Sequence, residues 1–207
     1  MSSEYDLKRL SRYLSRSRIT PYLLSSSSPQ NAQKQYEENI WQCLRFMLVM
    51  HFLEVALRNE MDNALCELHG RHWFERPDAL LEKQTKQLAQ ARQQLRNQRK
   101  DPTHDNFIAE LPLGFWVGLL TKKYEGRQQY WRRALHKCFP LRPKDIERRE
   151  LHTILDRLRR FRNKVAHHER ILHHKPHAHV QEALKVLGWI NPELKNWASE
   201  MLEQMPP

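Results

Sequence analysis

Glycine is scarce in this chain, 5 of 207 residues, and alternating runs of β-branched residues are absent. So little glycine leaves few sites for tight hairpin turns, and without a period-2 pattern nothing reads as a half-buried strand. Cysteine is nearly missing as well. Cys43, Cys66 and Cys138 stand in no CxxC or other close spacing, which removes any recognisable disulfide or metal framework and leaves three reduced thiols as the expectation. The opening residues, Met1 to Asp6, lack the basic segment and apolar core of a signal peptide. The longest apolar-rich run, Phe46 to Leu57, is broken by His51 and Glu54 and is shorter than the ~20 residues of a membrane span. A cytoplasmic protein with no membrane partner is expected.

What is present is positive charge. Lys and Arg number 35 against 24 Asp and Glu, a net +11 with a pI near 9.8. Such a balance suits a polyanion, because Lys and Arg contacts to phosphates release counterions and give sequence-independent affinity. An ordinary soluble protein with a basic surface is the plainer alternative. At about 150 residues per domain the length suits one core, with a small helix and loop over 1–30 preceding a helical domain over 31–207.

The expected fold class is all-α. Leu7, Leu10 and Leu14 mark a first helix over Tyr5 to Arg16, and the serines 25–28 with Pro29 mark a loop. From Asn31 to His69, Ile40, Cys43, Phe46, Met47, Met50, Leu53, Leu57, Met61, Ala64 and Leu68 recur at steps of three and four, and Gly70 stops the run. Glu54 and Arg58 are an i,i+4 pair beside Asn59, most simply a helix-face ion pair worth a few tenths of a kcal/mol, on the order of 0.2–0.5. Asp78 to Lys100 reads as a polar peripheral helix. Shorter helices are predicted over 111–123, 130–139, 180–187 and 194–201. The aromatics Phe115, Trp116, Tyr124, Tyr130, Trp131 and Phe139 could stack bases, but core packing explains them better.

The chemistry concentrates in Arg162-Asn163-Lys164-Val165-Ala166-His167-His168-Glu169-Arg170, inside an apolar-periodic run from Leu151 to Leu172. Arg162 falls at the edge of the apolar face, where a desolvated guanidinium needs a partner. Glu169, Glu54 and a phosphate are the candidates. Asn163 and His167, i,i+4, can hydrogen-bond and so select the imidazole tautomer. Arg162 and His167 are about 140° apart on a straight helix at ~100° per residue. Acting on one phosphate then needs Arg162's reach, a bend, or two copies of the helix side by side in a homodimer. In such a cleft His167 would serve as general base or acid on RNA and Arg162 would offset charge developing on the phosphate. Attack by the RNA's own 2′-hydroxyl needs no metal or other cofactor. By spacing alone this signal is weak, and a capped, solvated helix end is the better reading of it than catalysis.

Six histidines between His167 and His179 suggest a metal site, yet no cysteine or acidic residue stands at zinc spacing among them. A solvated His-rich loop over 173–179 is the expectation.

The stretch Arg162 to Ile171 resembles the Arg-Asn, three residues, His motif of HEPN-domain ribonucleases, in the form seen in the Abi-like (abortive infection) family. Leu53 to Asn59, Gly70 through Phe74, Leu113 to Val117, Cys138-Phe139-Pro140 and Gly188 to Glu193 resemble further stations of that family, in order, so that the similarity spans about Leu10 to Trp197. The resemblance implies an all-α HEPN-type bundle with added peripheral helices, a homodimer, and metal-independent endoribonuclease activity on RNA. Phage defence or a toxin silenced by an antitoxin protein or RNA is the implied setting. It implies Arg162 and His167 as the catalytic pair, Asn163 as support, His168 as a neighbour, and Glu54, Arg58 and Asn59 as a station orienting Arg162 or lining the cleft. A non-catalytic RNA-binding or regulatory module with the same cleft is the alternative.

Overall fold

The longest apolar-periodic run becomes the longest element. In a computed structural model, which describes residues 5–126 and 128–206, helix α3 runs unbroken over Pro29–His69, about 60 Å at 1.5 Å per residue. Ser28 caps it by accepting the Asn31 N–H, and Pro29 occupies the first turn, where no N–H is missed. Gly70 ends it at φ 83°, a backbone setting that disfavours any side chain. Phe46, Met50, Leu53, Leu57, Met61 and Leu65 form its buried stripe. The helix exceeds the length read from the sequence, and by length and composition alone it is large and apolar enough to cross a membrane, with one window averaging a hydropathy of 1.5. The core helix of a water-soluble protein has the same composition. Here its stripe is covered by other helices of the chain.

The described residues are all-α, ten α-helices joined by short 3-10 turns, with no strand among them. In the main core, α6 (Leu113–Leu119), α8 (Arg148–Ala166), α9 (Pro176–Ile190) and α10 (Pro192–Glu203) pack against α3. α4 (Glu82–Gln98) lies outside, as its polarity predicts, anchored by Leu88, Ala91 and Leu95, while α5 (His104–Glu110) bridges it to α3. The aromatics are core. Phe115, Trp116, Tyr124, Tyr130, Trp131 and Phe139 are all buried, and Trp73 sits among Phe74, Phe115, Trp116 and Tyr130 with ring centroids 5.5–6.4 Å away. Its indole N–H donates to Asp62 Oδ1 at 2.9 Å, so the buried polar edge is satisfied.

Several boundaries differ from the sequence reading. Residues 1–4 of the opening segment lie outside the described residues. The lead-in to the serine loop is itself helical. α1 (Leu7–Leu14) and α2 (Arg16–Ser25) form a hairpin despite Pro21, and the buried Leu7, Ile19 and Tyr22 rest on Ala32 of α3 as a small separate cluster. The helix expected over 130–139 breaks at Ala134 into α7 (Tyr130–Arg133) and a 3-10 turn over Leu135–Cys138. The expected histidine loop is shorter, because Pro176 starts α9 and puts His177 and His179 on that helix.

His179 stacks on Phe161 at 4.0 Å between ring centroids, 23° from parallel. Burial, reinforced by Arg157 and His174 and opposed by Glu182, holds its pKa below the ordinary 6.5. His152 and His174, on the same cavity wall, are shifted the same way, burial again the leading cause. A histidine whose folded-state pKa is lowered contributes stability that is complete above the unfolded value and is lost as pH falls through the folded one. Urea melts should therefore show stability falling from pH 7.5 to 5. In His179→Phe, which keeps the stack without the proton, the fall should be smaller.

Candidate functional site

α8 is an amphipathic helix whose Leu151, Leu155, Leu158, Phe161 and Val165 are buried. Arg162, next to Phe161, is carried to the edge of this face, toward α3. There its Nε donates to Glu54 Oε1 at 3.0 Å, with the two side chains 36% and 23% exposed. Of the two carboxylates open to Arg162, the structure selects Glu54. Glu169 pairs with Lys164 instead, at 3.0 Å. The helix-face ion pair expected between Glu54 and Arg58 does not form. Glu54 is occupied by Arg162, and the Arg58 guanidinium turns to Asn59 Oδ1 at 3.2 Å and the Ala109 carbonyl at 3.5 Å.

These residues border a cavity of about 510 Å³ between α3, α8 and the α5–α6 connection. Its charged wall comprises Glu54, Arg58, Glu110, Arg159 and Arg162, and Asn163 also faces it. Arg159 bonds Asp156 through Nε and a terminal nitrogen, and Glu110 pairs with Lys100. The partners of Arg58 are neutral, which leaves its charge the one least compensated at this wall. Two further polar groups on the wall are unpartnered among the described residues: the indole N–H of the buried Trp116 and the Gln87 side-chain carbonyl. His51 also lines the cavity, an imidazole that the sequence reading passed over. The signal for it was available, because His51, Glu54 and Arg58 are three and four apart and share one face of α3. Asn59 falls outside this wall and lines a neighbouring apolar groove.

The second half of the motif lies elsewhere. The sequence reading runs the helix on to Leu172, but α8 ends at Ala166. The His168 N–H returns to the Val165 carbonyl at 2.9 Å and the Glu169 N–H to the Lys164 carbonyl at 3.0 Å. His168 takes the left-handed conformation between them, φ 55°. This is a Schellman stop, with histidine where glycine is usual. His167 is thus a helix-capping residue on an exposed turn and does not line the cavity; its N–H still makes the helical bond, so the wide offset from Arg162 expected at about 100° per residue is kept. The bond expected between the Asn163 and His167 side chains does not form, and the two residues are joined by the ordinary helical bond from the His167 N–H to the Asn163 carbonyl at 3.0 Å.

The turn is held by residues far away in sequence. Asn39, 5% exposed, accepts the Ile171 N–H at 2.7 Å and donates to the Glu169 carbonyl at 3.3 Å. From the N-terminal hairpin, Arg18 donates to the His167 carbonyl at 3.4 Å. Arg170 reaches back to the Pro21 carbonyl and Ser25, its guanidinium 4.9 Å from the Tyr22 ring centroid. The hairpin does more than cap the core, since it grips both sides of the His167 turn.

The chain matches no protein-family model, no curated protein and no solved structure. What the fold and the site define is a class, a basic all-α protein with a cavity lined by three arginines and an imidazole turn at the end of one wall helix.

Asn39→Leu should cost about 1–3 kcal/mol in chemical denaturation, because it leaves the buried Ile171 N–H unpaired, and it should speed amide exchange at 167–171. His168→Gly should raise stability by up to about 1 kcal/mol by removing the left-handed strain, measured by the same melts.

Proposed function

We propose that this protein is a metal-independent endoribonuclease of the HEPN type, related to the Abi-like proteins, that acts as a homodimer. The observation that carries the reading is the placement of Arg162, fixed by a carboxylate beside a cavity walled by two more arginines, with His167 on a braced turn at the end of the same helix. A phosphodiester at this wall meets Arg58, whose charge has only neutral partners, together with Arg162, oriented by Glu54. The RNA 2′-oxygen attacks phosphorus as His167 takes its proton, the bond to the 5′-oxygen breaks, and that oxygen is protonated from solvent. The products are a 2′,3′-cyclic phosphate and a 5′-hydroxyl, and DNA, without the attacking group, resists. The arginines offset charge on the phosphate oxygens.

Within one chain His167 does not border the Arg162 cavity, and a second copy supplies the missing geometry. The surface for it is apolar and continuous with the site. Ile40 and Leu44 are exposed on α3, 44% and 46%, and Trp197 is 57% exposed on α10. They lead into a groove of Leu48, Phe52 and Trp197 that shares His51 and Val55 with the cavity. In this reading the chain works in the cytoplasm, in phage defence or as a toxin, with an antitoxin protein or RNA as silencing partner. An RNA-binding module that does not cut would use the same arginines without the imidazole.

Single-stranded RNA should be cut in EDTA to cyclic-phosphate ends. His167→Ala and Arg162→Ala should each lose about 10²–10⁴ of the rate, with binding retained in His167→Ala. Mixing the two inactive chains should restore about a quarter of wild-type activity, since unlike chains pair in half the dimers and rebuild one of two sites. Undiminished cleavage in His167→Ala rejects the mechanism, binding without cleavage by the wild type supports the RNA-binding module, and no recovery on mixing rejects the shared site.

A further inference from the structure

Away from the arginine cavity, three unlike donors converge where α3 meets α5. Asp62 and Cys66 are one turn apart on α3 and share a face. His104 is the first residue of α5, set there by Thr103, whose hydroxyl caps that helix by accepting the Asn106 N–H. The His104 Nε2 lies 2.7 Å from Asp62 Oδ2 and 3.9 Å from Cys66 Sγ, and the three donor atoms fall within 4.8 Å of one another. Asp62 and His104 are each only 10% exposed at the side chain.

A cysteine, histidine and aspartate in contact invite comparison with a nucleophilic triad, and the geometry excludes it. In a triad the carboxylate and the thiol engage opposite ring nitrogens, so that one orients the imidazole while the other gives up its proton. Here both face the same Nε2. The thiol is not activated either. Burial, with Asp62 adding to it, pushes its pKa up to about 11. Three donor atoms gathered within 4.8 Å of one another, rather than arranged in series, suit a coordination site.

We propose that Asp62, Cys66 and His104 bind one divalent zinc-like cation that ties α3 to α5. The donor set suits zinc, which takes thiolate, imidazole and carboxylate in tetrahedral sites. Metal–ligand bonds of about 2.0–2.3 Å place such donors roughly 3.3–3.6 Å apart, so His104 and Asp62 open slightly and Cys66 closes slightly. The Trp73 indole N–H already holds the other carboxylate oxygen, Asp62 Oδ1, which is how ligating carboxylates are steered. The Phe74 ring stacks on His104, 26° from parallel. His104 Nδ1 has no partner among the described residues. With three protein ligands the fourth position falls to water, as in other open zinc sites, and His104 also lines a neighbouring cavity of about 520 Å³. The cation also supplies the positive charge that the neutral thiol beside Asp62 lacks, releasing the thiol proton as it binds.

The role that follows is structural. α5 ends at Glu110, and Ala109 accepts from Arg58 while Leu111 to Gly114 wall the arginine cavity. A cation at His104 fixes the start of that helix, and through it the wall. The inference stands apart from the ribonuclease reading, whose chemistry uses no metal.

The test is cobalt titration of the full chain, prepared without an affinity tag, followed by optical absorption. One equivalent should give a thiolate-to-cobalt charge-transfer band and protect Cys66 alone from alkylation, read by mass spectrometry. The band should vanish in Cys66→Ser, persist in Cys43→Ser and Cys138→Ser, and need at least roughly tenfold more cobalt in His104→Gln. Zinc should displace the cobalt. Binding through the surface histidines alone gives no thiolate band, and that result overturns the proposal. So does a band that survives Cys66→Ser. Should Cys66→Ser not fold, the alkylation pattern of the wild-type chain decides, and equal labelling of Cys66 with and without metal rejects the site.

Discussion

A single uninterrupted helix of 41 residues is the constraint on which the rest of this structure rests. Because α3 is continuous, the distances among Asn39, His51, Glu54, Arg58 and Asp62 along it follow from rise and turn alone, about 1.5 Å and 100° per residue. Asn39 holds the turn after α8, Glu54 holds Arg162, and Asp62 meets α5. Three places on the molecule are thereby set in register by one rigid element, and the buried stripe from Phe46 to Leu65 fixes which way it faces.

The arginine cavity illustrates how charge is managed where several guanidinium groups line one wall. Lining a pocket with guanidinium groups raises the energy of the empty protein, and here carboxylates offset most of it. Glu54 takes Arg162 and Asp156 takes Arg159. Asp156 is itself partly buried, which alone would raise its pKa, yet bonds from Arg159 and Arg160 hold it below the usual carboxylate value. The remaining charge, on Arg58, faces only a carboxamide and a backbone carbonyl, neutral acceptors that leave it without a counter-charge.

Much of this was legible in order along the chain. The all-α class followed from scarce glycine and apolar residues three and four apart, and the aromatic clusters read as core are core. Glu54 stood among the partners foreseen for Arg162. The end of α8 was not legible, because the apolar period continues through Ile171 and Leu172 while the turn is enforced by Asn39, 132 residues from Ile171 in sequence. The same blindness hid the meeting of Asp62 and Cys66 with His104, about forty residues apart, and the hairpin's grip on the His167 turn.

The sequence by itself determined the local periodicities, and with them the helices, their buried faces and the strongly basic balance, since each depends on neighbours within a turn or two. Tertiary structure decided which carboxylate each arginine meets, that Arg162 but not His167 borders the cavity, and which far-apart donors come together. Those outcomes depend on how helices cross, and helix crossing is set by the packing of whole faces that no local window of sequence contains.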